Sequence, residues 1–213
     1  MSKEFDLDSL KDAWKSQVDE KKFTSDEIFA MLKRKSSSSV KWIFMISLAE
    51  LILGIVMYIF MFSNFSVSDY HNHLLEQMGY WAIIYEIITF IFYGATFLFI
   101  YIFFRSYRRI HVQDSIRELT NDIINFRKVV NYFIYFNLIV VFVLLWIFLI
   151  PMISQNPELM DMDWTSATGI GFIVGVLLSF SLVLAVFWLY YYLVYGTFQR
   201  RLKRNLKELD ALD

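Results

Sequence analysis

The sequence has no cysteine, and its 213 residues include only 2 prolines and 7 glycines. The absence of cysteine excludes a disulfide scaffold, a zinc–thiolate site, a cysteine nucleophile and a palmitoyl or prenyl anchor. Hydrophobic residues instead make up 57% of the chain, against about 45–50% in an average soluble domain. This excess excludes a disordered chain, and its distribution decides the class of protein.

The apolar residues are concentrated in four runs, each long enough to cross a bilayer core as a helix, which takes roughly 20 residues. The chain offers no amphipathic partners large enough to bury four such runs in a soluble core. The sequence therefore predicts an all-α integral membrane four-helix bundle with cytoplasmic amphipathic helical extensions. The predicted segments are an N-terminal amphipathic region (1–39), a first span (40–62), a loop (63–79), a second span (80–104), a loop helix (105–128), a third span ended by Pro151 (129–150), a loop (151–167), a fourth span (168–195) and a tail helix (196–213).

Basic residues predict the orientation of these spans. The loops 63–79 and 151–167 contain no lysine or arginine, whereas the other segments hold all 20. Cytoplasmic loops carry such an excess of positive charge, so both termini and 105–128 are predicted to be cytoplasmic in a bacterial inner membrane. No signal peptide precedes the first span. The residues expected to contact anionic lipid are Lys33, Arg34, Lys35, Arg105, Arg108, Arg109, Arg200, Arg201, Lys203 and Arg204.

Amphipathic patterns continue the spans on the predicted cytoplasmic side. Ser115 and Glu118 form a capping box that starts a heptad-like apolar stripe, which predicts one helix from Ile116 to Ile150. We expect the stripes to pack into a small helical cluster, with helices lying flat on lipid headgroups as the alternative. The apolar residues of the three stripes are Ile116, Leu119, Ile123, Phe126 and Val130; Leu202, Leu206 and Leu209; and Ile28, Met31 and Leu32 after the capping box of Thr24 and Glu27.

A run of four serines, 36–39, follows the basic residues before the first span. Serine-rich stretches are typical of flexible linkers, so the run predicts a hinge. A polar start to the first span is the alternative.

Three polar residues inside the predicted spans are candidates for a functional role. Glu50 lies about ten residues into the first span, and Asn137 lies at similar depth in the third. An acid inside the membrane is a functional candidate by default. We expect a protonated Glu50 to hydrogen bond to Asn137, a contact between helices worth roughly 1 kcal/mol; a proton- or ion-coupled role is the alternative. Glu86 is nearer the outer end of its span and is expected to reach outward.

Aromatic residues near the span ends predict an interfacial belt of structural character. The loop cluster of Asp69, His71, His73 and Glu76 is too weak a signal to predict a metal site. We expect no metal, no cofactor and no nucleic-acid partner. The predicted belt comprises Trp42, Trp81, Trp146, Trp164, Trp188, Tyr190, Tyr191, Tyr192 and Tyr195.

Three stretches carry a resemblance to a known family: 8–17 (DSLKDAWKSQ), 26–32 with its Asp-Glu-Ile and Met-Leu pairs, and 35–40 (KSSSSV). They resemble a family of uncharacterised four-span inner-membrane proteins of Bacteroidetes-type bacteria. Members of that family are often encoded beside genes for extracytoplasmic-function sigma factors. The resemblance therefore implies an anti-sigma-like role.

Leu7, Leu10 and Trp14 form an apolar stripe at helical spacing near the N-terminus. Short amphipathic helices of this kind dock into grooves of partner proteins. The predicted function is a non-enzymatic inner-membrane regulator or adaptor that binds a cytoplasmic protein through its N-terminal helices. The alternatives are a small transporter, channel or accessory subunit that uses Glu50, and a lipid-acting enzyme, for which the sequence offers no catalytic constellation. A bundle this small also fits a homo-oligomer or a subunit of a larger complex.

The charge asymmetry predicts the behaviour of topology reporters. A fluorescent protein fused after Asp213 should fold and fluoresce, whereas alkaline phosphatase at the same position should be inactive, because both would face the cytoplasm. The same reporters inserted in the loop 151–167 should give the opposite result. An active phosphatase at the C-terminus would contradict the predicted orientation.

Overall fold

The computed structural model describes residues 24–63 and 65–210, and every regular element within them is a helix. Four of the helices are long, and each contains a segment long and apolar enough to cross a membrane. Two short helices join them at one end of the molecule. The helices are α1 (Ser25–Ser63), α2 (Phe65–Met78), α3 (Tyr80–Val112), α4 (Ile116–Gln155), α5 (Pro157–Met160) and α6 (Ala167–Leu209).

The four long helices form an antiparallel bundle in which the first and last helices are neighbours. α1 packs against α3 and α6, and α4 packs against the same two helices from the opposite corner. α1 and α4 therefore lie across the diagonal of the bundle and have little contact. α2 covers the bundle at its acidic end, the end formed by 63–79 and 151–167, where it touches α1, α3 and α4.

The helices extend far beyond their apolar segments at the opposite end. α4 has 40 residues and α6 has 43, which correspond to roughly 60 Å each, twice the thickness of a bilayer core. Residues 25–41, 105–128 and 196–210 form this end, which we call the basic end because it holds every lysine and arginine in the described part of the chain.

The extensions at the basic end have a hydrophobic core of their own. Leu32, Ile110, Leu119, Leu202 and Leu209 are all essentially inaccessible to solvent there. The predicted cluster of helical extensions is thus confirmed for the residues that the structure describes. Two ion pairs connect neighbouring segments at the basic end. Lys33 Nζ lies 2.9 Å from the Asp114 carboxylate, and Arg109 lies 3.1 Å from the Asp122 carboxylate.

The buried face of α4 follows a seven-residue pattern. Its inward residues are spaced alternately by four and three positions, which keeps one face of a helix toward its partners as in a coiled coil. The pattern confirms the predicted stripe and continues it into the apolar segment. The buried residues are Leu119, Ile123, Phe126, Val130, Phe133 and Asn137.

Phe133 is the centre of an aromatic core between α3, α4 and α6. Its ring lies 5.4 Å from Phe99, 5.5 Å from Phe103 and 5.8 Å from Tyr195, measured between ring centroids. The rings of Phe99 and Phe103 approach it edge-on, the arrangement that aromatic quadrupoles favour. Three helices are therefore joined through one side chain.

The structure contradicts the predicted serine hinge. Residues 36–39 lie within the uninterrupted helix α1, and Ser36, Ser37 and Ser39 are buried. Their small side chains let α1 approach its neighbours, and their hydroxyls find partners: Ser39 donates to the Lys35 carbonyl, and Ser36 accepts from Asn205 of α6. The alternative, a polar start to the first span, is the one that the structure supports.

The predicted stop at Pro151 is also wrong. α4 passes through Pro151 and ends at Gln155. A proline removes one helical hydrogen bond, but Pro151 is buried and the helix continues for one more turn. The helix starts at Ile116 as predicted, although Ser115 makes no capping hydrogen bond with its side chain. The predicted loop 63–79 contains the helix α2.

A compact turn fixes the start of α6. Ser166 Oγ accepts from the Gly169 amide at 3.1 Å, and Thr165 donates its hydroxyl and its amide to the Asp163 carboxylate. The Thr165 hydroxyl and the backbone amides hold the pKa of the Asp163 carboxyl below its usual value. A methyl group at Gly169 would lie 2.7 Å from the Trp164 Cα, so only glycine permits this close approach.

Truncation of the central aromatic residue should destabilise the bundle strongly. We expect Phe133→Ala to lower the free energy of unfolding by about 3–5 kcal/mol, because a fully buried ring leaves a cavity. Phe90→Ala is the matched control, since Phe90 is 81% exposed, and it should change stability by less than about 0.5 kcal/mol. Unfolding of both purified variants in the same detergent checks this, and equal stabilities would contradict the described core.

Candidate functional site

A carboxyl group and three hydroxyls meet between α1 and α6. Tyr190 Oη lies 2.6 Å from one oxygen of Glu50, and Tyr195 Oη lies 3.0 Å from the other. Ser47, one turn before Glu50 on α1, lies 2.9 Å from Tyr195 Oη and 2.9 Å from the Ile43 carbonyl oxygen. We call Ser47, Glu50, Tyr190 and Tyr195 the Glu50 network.

Helix geometry explains why these side chains meet. Ser47 is on the buried stripe of α1 together with Ile43, and Tyr195 is on the buried stripe of α6. Glu50 and Tyr190 each lie at the margin of their stripe, where the two helices face each other. Ser47 and Tyr195 are completely buried, whereas Glu50 and Tyr190 are partly accessible at the surface of the bundle.

Counting hydrogens shows which form of Glu50 the network suits. The network has four short contacts, but with an ionised Glu50 only three hydroxyl hydrogens are available to fill them. Tyr190 and Tyr195 each donate to an oxygen of Glu50, and Ser47 donates to the Ile43 carbonyl. The 2.9 Å contact between Ser47 and Tyr195 then has no hydrogen of its own, and a protonated carboxyl that donates to Tyr195 would supply the fourth hydrogen. A neutral carboxyl also avoids the cost of a charge in an apolar segment.

The structure does not bring Glu50 and Asn137 together. Asn137 is buried on α4, and its amide donates to the Phe133 carbonyl of its own helix at 2.7 Å. Because α1 and α4 lie across the diagonal of the bundle, the expected hydrogen bond between Glu50 and Asn137 is replaced by the contacts of Glu50 with α6. Tyr195 is only five residues from Arg200, or about 8 Å along α6, so Glu50 lies toward the basic end.

Two members of the predicted aromatic belt belong to the interior instead. Tyr191 and Tyr195 are buried, whereas Tyr192 and Trp188 are exposed and stack on each other with ring centroids 5.3 Å apart. A run of three consecutive tyrosines spans more than one face of a helix, so these residues cannot share one environment. The sequence reasoning missed Ser47, Tyr190 and Tyr195 as partners of Glu50. The helical spacing of Tyr191 and Tyr195 was the available signal.

Glu86 lies away from this network. It is exposed and lines a cavity of about 790 Å³ toward the acidic end, together with Tyr85 and Tyr93. In the described parts of the chain, no three histidine, aspartate or glutamate side chains are grouped closely enough to hold a metal ion. His73 is paired with Gln77 of the same helix at 3.1 Å.

The predicted lipid-contacting residues have two kinds of environment. Lys33 and Arg109 take part in the two ion pairs at the basic end, and the Arg204 guanidinium lies 4.0 Å from the Glu208 carboxylate. The other cations are exposed at the surface of the basic end, where several lie over aromatic rings or border cavities. These are Arg34, Lys35, Arg105, Arg108, Arg200, Arg201 and Lys203. The predicted partner-binding residues Leu7, Leu10 and Trp14 lie outside the described residues.

A family model described as a domain of unknown function, DUF8845, matches residues 26–213. The match covers all four long helices and both short ones. No curated protein and no solved structure shows significant similarity to the chain.

Substitutions of Glu50 should reveal its protonation state. Glutamine can accept from Tyr190 and donate to Tyr195 as the protonated acid does, so we expect Glu50→Gln to match the wild type in stability. Glu50→Ala leaves the buried Tyr195 hydroxyl with fewer partners and should cost about 1–3 kcal/mol. Thermal unfolding in detergent measures both, with Glu86→Gln and Glu86→Ala as controls. If Glu50→Gln loses as much stability as Glu50→Ala, the network requires an ionised carboxylate.

Proposed function

The chain belongs to the DUF8845 family, and we propose that it is a non-enzymatic regulator or adaptor of the bacterial inner membrane. Four helices cross the membrane, and both termini face the cytoplasm. The N-terminal region, residues 1–35, binds a cytoplasmic protein and holds it at the membrane. The description of the family names no activity, so the proposal rests on the residues and the geometry of this chain.

The observation that carries the proposal is the folded basic end. The four helices continue past their apolar segments and bury a hydrophobic core there, with Leu119 and Leu202 inaccessible. A bundle that served only to cross the bilayer would need about half of this length. The extra turns form a rigid platform on the side that the basic residues assign to the cytoplasm.

The platform also fixes where the N-terminal segment leaves the bundle. Thr24 and Glu27 form a reciprocal capping box: the Thr24 amide donates to Glu27 at 2.9 Å, and the Glu27 amide donates to Thr24 Oγ1 at 3.3 Å. This cap defines the start of α1, and Leu32, two turns later, is already buried. The point at which residues 1–23 join the bundle is therefore at the basic end.

The chemistry of the segment supports a protein partner. Leu7, Leu10 and Trp14 recur at the spacing of one helical face, which is how amphipathic helices present anchors to a groove. The stripe is too short to fold alone. A sigma factor is the first partner to test, because the family resemblance implies an anti-sigma-like role.

The transport alternative receives less support. Substrate sites in many transporters are built around interrupted helices, whereas each of the four long helices in the described chain is continuous. Hydrogen bonds from α6 already occupy both carboxyl oxygens of Glu50. These contacts suit a structural link between α1 and α6.

The adaptor proposal predicts that partner binding depends on one face of the N-terminal segment. Leu10→Asp combined with Trp14→Ala should reduce recovery of the partner at least tenfold when the tagged full-length protein is purified from native membranes in mild detergent. Quantitative mass spectrometry of the eluates measures this recovery, and the candidate sigma factor is then tested directly with purified protein.

Ser9→Asp combined with Ser16→Ala is the matched control. It introduces the same two residues at positions that helical periodicity puts opposite Leu10 and Trp14, and it should leave recovery unchanged. Equal recovery of all co-purifying proteins with the wild type and both double variants would remove the proposal.

A further inference from the structure

A cleft runs along the outer surface between α4 and α6 and changes character along its length. At the basic end it is a cavity of about 320 Å³ bordered by the cations Arg127, Arg200 and Lys203. Toward the middle of the bundle it continues as a groove of about 550 Å³. Tyr135 and Trp188 line both parts, so the two adjoin each other. We call this feature the α4–α6 cleft.

The basic part of the cleft is built to receive an anion. Arg127 borders the cavity, and its Nε is buried without a hydrogen-bond partner among the described residues, so an anion would meet the rest of its guanidinium group. Arg200 is held in place, with its guanidinium 5.0 Å from the centre of the Tyr192 ring and its Nε donating to the Gly196 carbonyl. No carboxylate among the described residues lines this cavity.

The other part of the cleft is suited to a hydrocarbon chain. It is lined by Leu138, Ile139, Phe142, Leu184 and Ala185, with Ser181 as the only polar side chain besides the shared aromatic residues. The cleft extends roughly 22 Å along α4 from Arg127 to Phe142, of which the apolar groove, from Tyr135 to Phe142, makes up roughly 10 Å at 1.5 Å per residue. A single leaflet of hydrocarbon is about 15 Å thick, so the groove is long enough to follow an acyl chain through most of one leaflet.

A second basic cavity lacks this combination of cations and apolar residues. Between α1 and α6, a cavity of about 470 Å³ is bordered by Arg34, Lys35, Arg201 and Arg204. Its lining is otherwise serine and asparagine, and no apolar residue extends it. The polar and cationic lining of that cavity suits an anion alone. The lining of the α4–α6 cleft suits a molecule with an anionic head and an apolar tail.

We propose that the α4–α6 cleft binds one anionic phospholipid, with its phosphate on Arg127, Arg200 and Lys203 and an acyl chain between Tyr135 and Phe142 of α4 and α6. Basic pockets between membrane-spanning helices on the cytoplasmic side recognise anionic headgroups in this way. The exposed Trp188 and Tyr192 lie where head and tail meet, as aromatic residues do at a membrane interface. The site is independent of the N-terminal segment and so goes beyond the proposed function.

The test measures lipid binding to the full-length protein in detergent by native mass spectrometry. The probes are dioleoylphosphatidylglycerol, dioleoylphosphatidylcholine and inorganic phosphate. We expect the wild type to retain one phosphatidylglycerol roughly tenfold more tightly than phosphatidylcholine, because only the former carries a net charge. Inorganic phosphate should not displace the lipid, since it cannot use the groove. Full displacement by millimolar phosphate would overturn the proposal in favour of a simple anion site.

Charge variants locate the headgroup. The triple variant Arg127→Gln, Arg200→Gln and Lys203→Gln should reduce binding of phosphatidylglycerol to the level of phosphatidylcholine. Its matched control, Arg108→Gln, Arg117→Gln and Lys128→Gln, removes the same charges from exposed positions outside the cleft and should bind like the wild type. Equal binding by both triple variants would overturn the proposal.

A shape variant keeps the test decisive if the charge variant does not fold. Ala185→Phe fills the apolar groove and should weaken phosphatidylglycerol binding several-fold without any change in charge. Leu182→Phe introduces the same ring at an outward position of the same helix, 67% exposed, and should have no effect. Unchanged binding by Ala185→Phe would overturn the proposal.

Discussion

A burial pattern with a period close to seven residues holds the long helices side by side over the part of their length nearer the basic end. A straight helix of 3.6 residues per turn drifts about 20° with each such repeat, so a sustained pattern requires the helices to wind gently around one another. On α4 the pattern runs from Leu119 at the basic end to Asn137 inside the apolar segment. One continuous interface therefore joins the platform at the basic end to the apolar part of the bundle. The Glu50 network and the α4–α6 cleft both lie between helices that this interface holds together.

Polar side chains inside the bundle divide into two groups. Ser39, Thr96 and Asn137 bond to a carbonyl four residues earlier on their own helix, which satisfies them without constraining their neighbours. The contacts Ser36–Asn205 and Ser47–Tyr195 instead cross from α1 to α6. They are separated by nearly the same number of residues on both helices, about 16 Å apart along α1. An apolar interior penalises unpaired polar groups, so these two contacts set the register of the first and last helices more sharply than hydrophobic packing does.

The sequence predicts what depends on composition and period, and it misses what depends on which helices are neighbours. The apolar runs, the stripe through Phe126 and Val130, and the cluster of extensions follow from local pattern. The partner of Glu50 does not, because hydropathy cannot tell an adjacent helix from a diagonal one. The serine run was interpreted by composition, although small residues serve a close helix contact equally well. Pro151 was interpreted by its backbone chemistry, and its burial, which local sequence does not reveal, accompanies a helix that continues through it.

Closing the bundle by pairing α1 with α6 brings the two extremities of the folded chain to one corner. Asn205 sits level with Ser36, so Asp210 lies only a short distance along the axis from Thr24, roughly two or three helical turns. Probes attached at residues 24 and 210 therefore lie within roughly 10 Å of each other along the bundle axis. The same closeness means that a linker of modest length can join the extremities, and new ends can then be opened between α5 and α6 without changing the neighbours of any helix.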